Sequence, residues 1–140
     1  MIQRFLKTSK LSNRYVFLGG NIMRNAKTHT RAQIIRAKFC KAIGGSCRLY
    51  SALQRKFVEH INSNDAVESF ETNVVLDGLP IEGIYSTDVL VKYKDGSTMA
   101  YECVLRRHIS KPQTSKLLSL SRMYWLNKGV KFVLVTEVAE

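Results

Sequence analysis

Apolar residues recur along this chain with two different periods, and the switches between them divide it into elements. In TRAQIIRAKFCKAI, Ile35, Phe39 and Ile43 fall four apart, which predicts a basic amphipathic helix with Thr30 as its N-cap and Gly44-Gly45 as its stop. In RLYSALQRKFVEHINSNDAV, Tyr50, Leu53, Phe57 and Ile61 predict a second helix capped by Ser51 and ended by the polar run Asn62 to Asp65. VESFETNVVL is strand-like and closes at the turn DGLP. YSTDVLVKY and TMAYECVL, separated by Lys94-Asp95-Gly96-Ser97, read as the two strands of a hairpin. After a loop containing Pro112, SKLLSLSRMYWLNKG predicts a helix closed by Gly129. VKFVLVTEV then makes a near-continuous apolar strand, expected in the middle of a sheet covered on both faces. Residues 1 to 28 show no sustained period and read as an arm with at most a short strand. The order helix, helix, strand, hairpin, helix, strand specifies an α/β fold with a mixed sheet flanked by helices.

Composition narrows the class. A chain of 140 residues, 45% of them apolar and two of them proline, is long enough to bury a core as one domain without staples. The expected division is a basic arm and helix over residues 1–45 and a core over 46–140. Cys40, Cys47 and Cys103 are odd in number, form no CxxC pair and do not cluster with the histidines, which argues against a disulfide framework or a zinc site. The start MIQRFLKTSK lacks an apolar signal region, and no apolar run approaches the length of a membrane span, so a cytoplasmic protein without a membrane partner is expected.

Charge adds a partner. The net charge is +11, and residues 1 to 58 carry 13 of the 22 lysines and arginines before the first acidic residue, Glu59. A field of one sign favours a polyanion through counterion release, so DNA or RNA is the expected partner, against the alternatives of a solubilising surface or a contact for an acidic protein. The candidate backbone contacts are Arg24, Lys27, Arg31, Arg36, Lys38, Arg48 and Arg55, with Arg106, Arg107 and Lys111 as a second group.

Two carboxylates carry the candidate chemistry. Asp88 in YSTDVLV and Glu102 in AYECVL sit among apolar neighbours, where a strand carboxylate is costly unless paired or bound to a cation. A turn near Asp95-Gly96 places position 88 opposite 102 or 103, so both could reach one Mg²⁺, held with waters and phosphate oxygens and used to activate water. Solvent-facing strand carboxylates, or pairing of Glu102 with Lys92, are the structural alternatives.

From about Arg48 to Glu137 the pieces RLYSALQRKFVEHINSNDAVESFETN, STDVLVKYKDG, YECVL and KLLSLSRMYWLNKGVKFVLVTE occur in order and spacing that resemble the amino-terminal catalytic domain of TnsA. TnsA is the endonuclease subunit of heteromeric transposases, in the restriction-endonuclease-like PD-(D/E)xK superfamily. The resemblance implies a restriction-endonuclease-like fold and a DNA endonuclease of a mobile element using Mg²⁺ or Mn²⁺. It also implies TnsB-like or TnsC-like transposase subunits, or phage proteins, as partners. It puts the metal-binding aspartate at Asp88, a carboxylate or amide at Glu102, a helix glutamate at Gln54 and a lysine at Val104. The last two depart from the pattern. Valine neither orients water nor offsets phosphorane charge, and Gln54 brings an amide oxygen without charge, or serves only a capping box with Ser51. Arg55, Arg106, Arg107 and Lys111 are the cations that could stand in for the lysine, although a guanidinium is a poor base. The expected catalytic set is therefore Asp88, Glu102 and Gln54. Set against it are a degenerate nuclease-fold protein that binds DNA and an adaptor that binds protein.

Overall fold

The computed structural model describes residues 35–137. Two short strands, β1 (Ile35–Lys38) and β2 (Ser46–Leu49), pair antiparallel and lead into helix α1 (Ala52–Asn62). Strands β3 (Val67–Val75), β4 (Ser86–Tyr93) and β5 (Thr98–Cys103) follow as an antiparallel meander. A short helix α2 (Arg106–Ile109) and a long one, α3 (Pro112–Asn127), cross over to β6 (Lys131–Val135), which pairs parallel to β5. The main sheet thus has the order β3-β4-β5-β6, mixed in sense, with helices packed on it. This is the α/β fold, consistent with a restriction-endonuclease-like domain.

Local chemistry accounts for each element. Ser51 caps α1, its hydroxyl accepting from the Gln54 N–H, and Leu53, Phe57, Val58 and Ile61 bury one stripe of the helix. The β4–β5 turn is held by Asp95, whose carboxylate accepts from the Ser97 N–H at 2.8 Å, with Gly96 at φ +93° where a side chain would be strained. Pro112 begins α3 at a position where its missing N–H is harmless. Thr114, Leu117, Leu118, Ser121 and Trp125 of α3 are buried, and Phe57 packs against Tyr101 with centroids 4.6 Å apart and the rings tilted by 49°.

Four expectations change. The helix predicted from Thr30 is, over its described part, strand β1 followed by a turn. Ile35, Ala37 and Phe39 are partly buried while Arg36, Lys38 and Cys40 are exposed, a period of two, and Ile43 is 59% exposed. Positions 35 and 39 belong to both periods, and pairing with Ser46–Leu49 decides between them. Gly44-Gly45, at φ +87° and +83°, turns between the two strands rather than stopping a helix. Next, among the described residues β6 stands at the edge of the main sheet, and its apolar run is covered at Phe132, Val133 and Val135. Third, residues 106–109, read as loop, form α2. Finally, α3 starts at Pro112, ahead of the segment SKLLSLSRMYWLNKG. Pairing of β1 with β2, and a bridge from Ala42 to Phe70 on β3, run across position 45.

Candidate functional site

Gln54, Asp88 and Glu102 converge at one end of the sheet, where β4 begins, β5 ends and α1 starts. Asp88 precedes the paired stretch of the hairpin, whose register runs from Val89 opposite Tyr101, so the next pair along would be Asp88 and Glu102. Convergence does not make the three side chains equivalent.

Glu102 faces inward and is fully buried. One carboxyl oxygen accepts from the Tyr85 hydroxyl, and the other from the Ser121 hydroxyl and, at 3.2 Å, from Thr87. Trp125 Nε1–H donates to Thr87 Oγ1 at 2.8 Å, joining α3 to the same network. Tyr85, Thr87 and Ser121 are themselves fully buried. Burial, then the charge of nearby Asp88, pushes the Glu102 carboxyl well above its ordinary range, while the three hydroxyls only partly offset this. Glu102 therefore sits in the core with both carboxyl oxygens bound by hydroxyls.

Gln54 is equally committed. Its Oε1 accepts from the Tyr50 N–H at 2.8 Å, and its Nε2 donates to the Asp88 carbonyl at 3.0 Å and to Asn73 Oδ1 at 3.1 Å. A backbone N–H can only donate and a carbonyl can only accept, so these two contacts fix which way the amide points. The glutamine is half of a capping box displaced by one residue, since its oxygen serves Tyr50 instead of Ser51. Asn73 completes the lock. It stands at φ +54°, a left-handed conformation that asparagine tolerates better than most residues, and its Nδ2 donates to the Arg48 carbonyl at 2.8 Å.

Asp88 is half-buried, and its Oδ2 accepts from the Cys103 N–H at 2.6 Å, pinning the two strands where their ladder ends. Cys103 is partly buried, and desolvation first, then the charges of Asp88 and Glu102, push its thiol well above its usual range. Val104 is partly buried against the core, and its N–H donates to the Val135 carbonyl at 3.0 Å.

A divalent cation of the kind the resemblance implies needs carboxylate or amide oxygens turned toward it. Both oxygens of Glu102 and the amide oxygen of Gln54 are engaged inside the protein, and among the described residues no three His, Cys, Asp or Glu side chains gather as a ligand group. As arranged, these residues do not fit Mg²⁺ or Mn²⁺.

The basic residues are spread over separate places. Arg24, Lys27 and Arg31 lie outside the described residues. Arg36 and Lys38 on β1 and Arg48 on β2 are exposed, and Arg36 is directly opposite Arg48. Arg55 is exposed on α1, paired at 3.3 Å with Glu59 one turn on, a surface contact worth little. Arg106 and Arg107 on α2, and Lys111 at the N-cap of α3, are exposed just beyond the end of β5, with the Arg106 N–H donating to Glu137 Oε1 at 2.9 Å. Sequence reasoning missed Asn73, Tyr85, Thr87, Ser121 and Trp125. Their types carry no mark of a shared site, because Tyr85, Thr87 and Ser121 meet Glu102 only through strand pairing and the packing of α3 on the sheet.

Among the described residues no helix is long and apolar enough to cross a membrane. No curated protein matches the chain. A family model, TnsA-like endonuclease N terminal, matches residues 54–137, more than half of the sequence. That match begins at Gln54, includes Asp88, Glu102 and Val104, and ends at Glu137, just beyond β6. It implies a nuclease fold at work in transposition, with DNA and transposase proteins as its general company. The order of strands, the convergence of positions 54, 88 and 102, and the match together show that the chain belongs to the TnsA-like endonuclease amino-terminal family.

Proposed function

We propose that this chain is a member of the family that engages DNA within a mobile element without hydrolysing it at the Asp88 end, serving as a DNA-holding component of a transposase assembly. One observation carries this reading: the carboxylate of Glu102 is caged by Tyr85, Thr87 and Ser121 and carries no exposed surface. Hydrolysis of a phosphodiester needs charge presented to the phosphate, a base near the water and a stabiliser for the developing negative charge. At this end of the sheet the first is turned inward at Glu102, the helix glutamate is a glutamine tied to Tyr50, and the lysine position is Val104. What remains is a rigid frame, with exposed cations at Arg106, Arg107 and Lys111 suited to positioning a backbone.

The test compares the parent protein and Asp88→Asn on supercoiled plasmid at low salt with Mg²⁺ or Mn²⁺, scoring nicking and gel shift together. Asparagine keeps an acceptor for the Cys103 N–H, so the fold should survive. Equal DNA shift by both proteins with no nicking by either supports the proposal. Nicking by the parent that Asp88→Asn abolishes would establish a metal nuclease and overturn it.

A further inference from the structure

The segment predicted as an amphipathic helix is a two-stranded ribbon, and its register gathers charge that a helix would have dispersed. Ile35 pairs with Leu49 and Ala37 with Cys47, and these form the inner row, with Leu49 and Cys47 buried. Arg36 pairs with Arg48 and Lys38 with Ser46, and these form the outer row, in which Arg36, Lys38 and Arg48 are exposed. Two arginines directly opposite one another on an antiparallel pair repel, where an opposite-charge pair would stabilise the ribbon. Among the described residues the ion pairs are Arg55 with Glu59 and Lys92 with Glu68, and none involves this row. Among the described residues the exposed Arg36 side chain makes one hydrogen bond, a 3.3 Å donation to Ser46 Oγ, which uses one of its five guanidinium N–H donors.

The row is also held at a fixed place. The Arg48 carbonyl accepts from Asn73 Nδ2 at 2.8 Å and from Thr72 Oγ1 at 3.2 Å, and Asn73 in turn holds Gln54, which holds the Asp88 carbonyl. An outward row of three like charges is thus fastened through one asparagine to the end of the sheet where Asp88 lies. A repulsive pair kept on a hydrogen-bonded ribbon is what a polyanion would relieve.

We infer that the outer row of the β1–β2 ribbon is a phosphate-contacting surface for DNA, with Arg36, Lys38 and Arg48 each neutralising a backbone phosphate and so fixing where the nucleic acid lies relative to Asp88. Arg36 and Lys38, two apart on one strand, are separated by ~6.7 Å at two strand residues' rise. Arg48 lies across from Arg36 at ~5 Å. Contacts of this kind place the backbone and read no sequence. The inference rests on the DNA-engaging part of the reading above and is independent of whether the chain cuts.

The experiment is a salt titration of binding to a short duplex by the full chain. It compares the parent, the triple variant Arg36→Ala/Lys38→Ala/Arg48→Ala, a charge-keeping triple Arg36→Lys/Lys38→Arg/Arg48→Lys, and a control that removes as many exposed charges elsewhere, Lys56→Ala/Lys116→Ala/Arg122→Ala. Thermal melts confirm that each variant folds. The slope of log K against log salt should fall by about 2.7 in the alanine triple, about 0.9 for each phosphate released, and should hold in the charge-keeping triple and the control. A parental slope in the alanine triple overturns the ribbon and leaves DNA binding standing. An equal fall in the control also overturns it, showing diffuse charge instead of a site. A parent that fails to bind duplex at low salt overturns both readings, and capture of an acidic protein by the same row would then be the finding.

Discussion

Replacing Gln54 with glutamate, the residue the family pattern places there, tests whether this end of the sheet is built as an amide lock or as a cation site. In the parent, the amide nitrogen donates to the Asp88 carbonyl and to Asn73 Oδ1, and the residue is 1% exposed. Glutamate keeps the oxygen that Tyr50 uses but turns the nitrogen into a second oxygen, now facing two acceptors. Each buried acceptor left without its donor costs about 1–3 kcal/mol, and a buried unpaired charge adds to that, so Gln54→Glu should lose about 3 kcal/mol or more. With a urea dependence of roughly 1–3 kcal/mol per molar, the unfolding midpoint should fall by about 1–3 M. The loss should shrink at acid pH, where a protonated glutamic acid can again donate to the Asp88 carbonyl. In sign terms, a carboxyl whose folded pKa is raised contributes stability below its unfolded pKa that is lost as pH rises. Urea melts at pH 5 and pH 8, with and without Mn²⁺, check this. A midpoint equal to the parent's would refute the lock, and so would a deficit that Mn²⁺ repairs in Gln54→Glu alone, because that would mean positions 54 and 88 together form a cation site.

Other perturbations bear on the same frame. The buried Glu102 carboxyl is held well above the unfolded value near 4.5, by burial first and Asp88 second, so its contribution is present below about pH 4.5 and is lost as pH rises toward the folded pKa. Glu102→Gln should accordingly flatten the fall in stability above that pH, and urea midpoints from pH 4 to 9 that stay parallel to the parent's would disprove it. At Asn73, alanine should cost about 1 kcal/mol more than glycine, since both lose the bonds to Arg48 and Gln54 but only alanine bears the left-handed strain at φ +54°. Equal melting points for the two variants would contradict that account. Trp125→Phe removes the indole donor from Thr87 and should cost about 1–3 kcal/mol, with a chemical melt as the check; an unchanged midpoint would show the network to be slack.

Much of this protein is legible in its residues. Ser51 ahead of the Leu53, Phe57, Ile61 stripe marks α1, the KDGS turn marks the hairpin, and Gly129 marks the passage from α3 to β6, because caps and turns are satisfied by near neighbours in sequence. Cross-strand counting from that turn brought Asp88 and Glu102 together, and four ordered pieces resembled the family that the match then showed. What local pattern could not reach is anything decided by a distant partner. Ile35 and Phe39 suit a helix or a strand equally, and pairing with Ser46–Leu49 chose the strand. A carboxylate on an apolar strand can meet a cation or a cage of hydroxyls, and it is Tyr85, Thr87 and Ser121, brought in from the preceding loop, β4 and α3, that surround Glu102. By itself, then, the sequence determined α1, the hairpin, the body of α3, the family and the convergence of positions 54, 88 and 102. The tertiary structure alone decided which of their oxygens face the core, since a side chain's partners, not its type, fix where its charge can go.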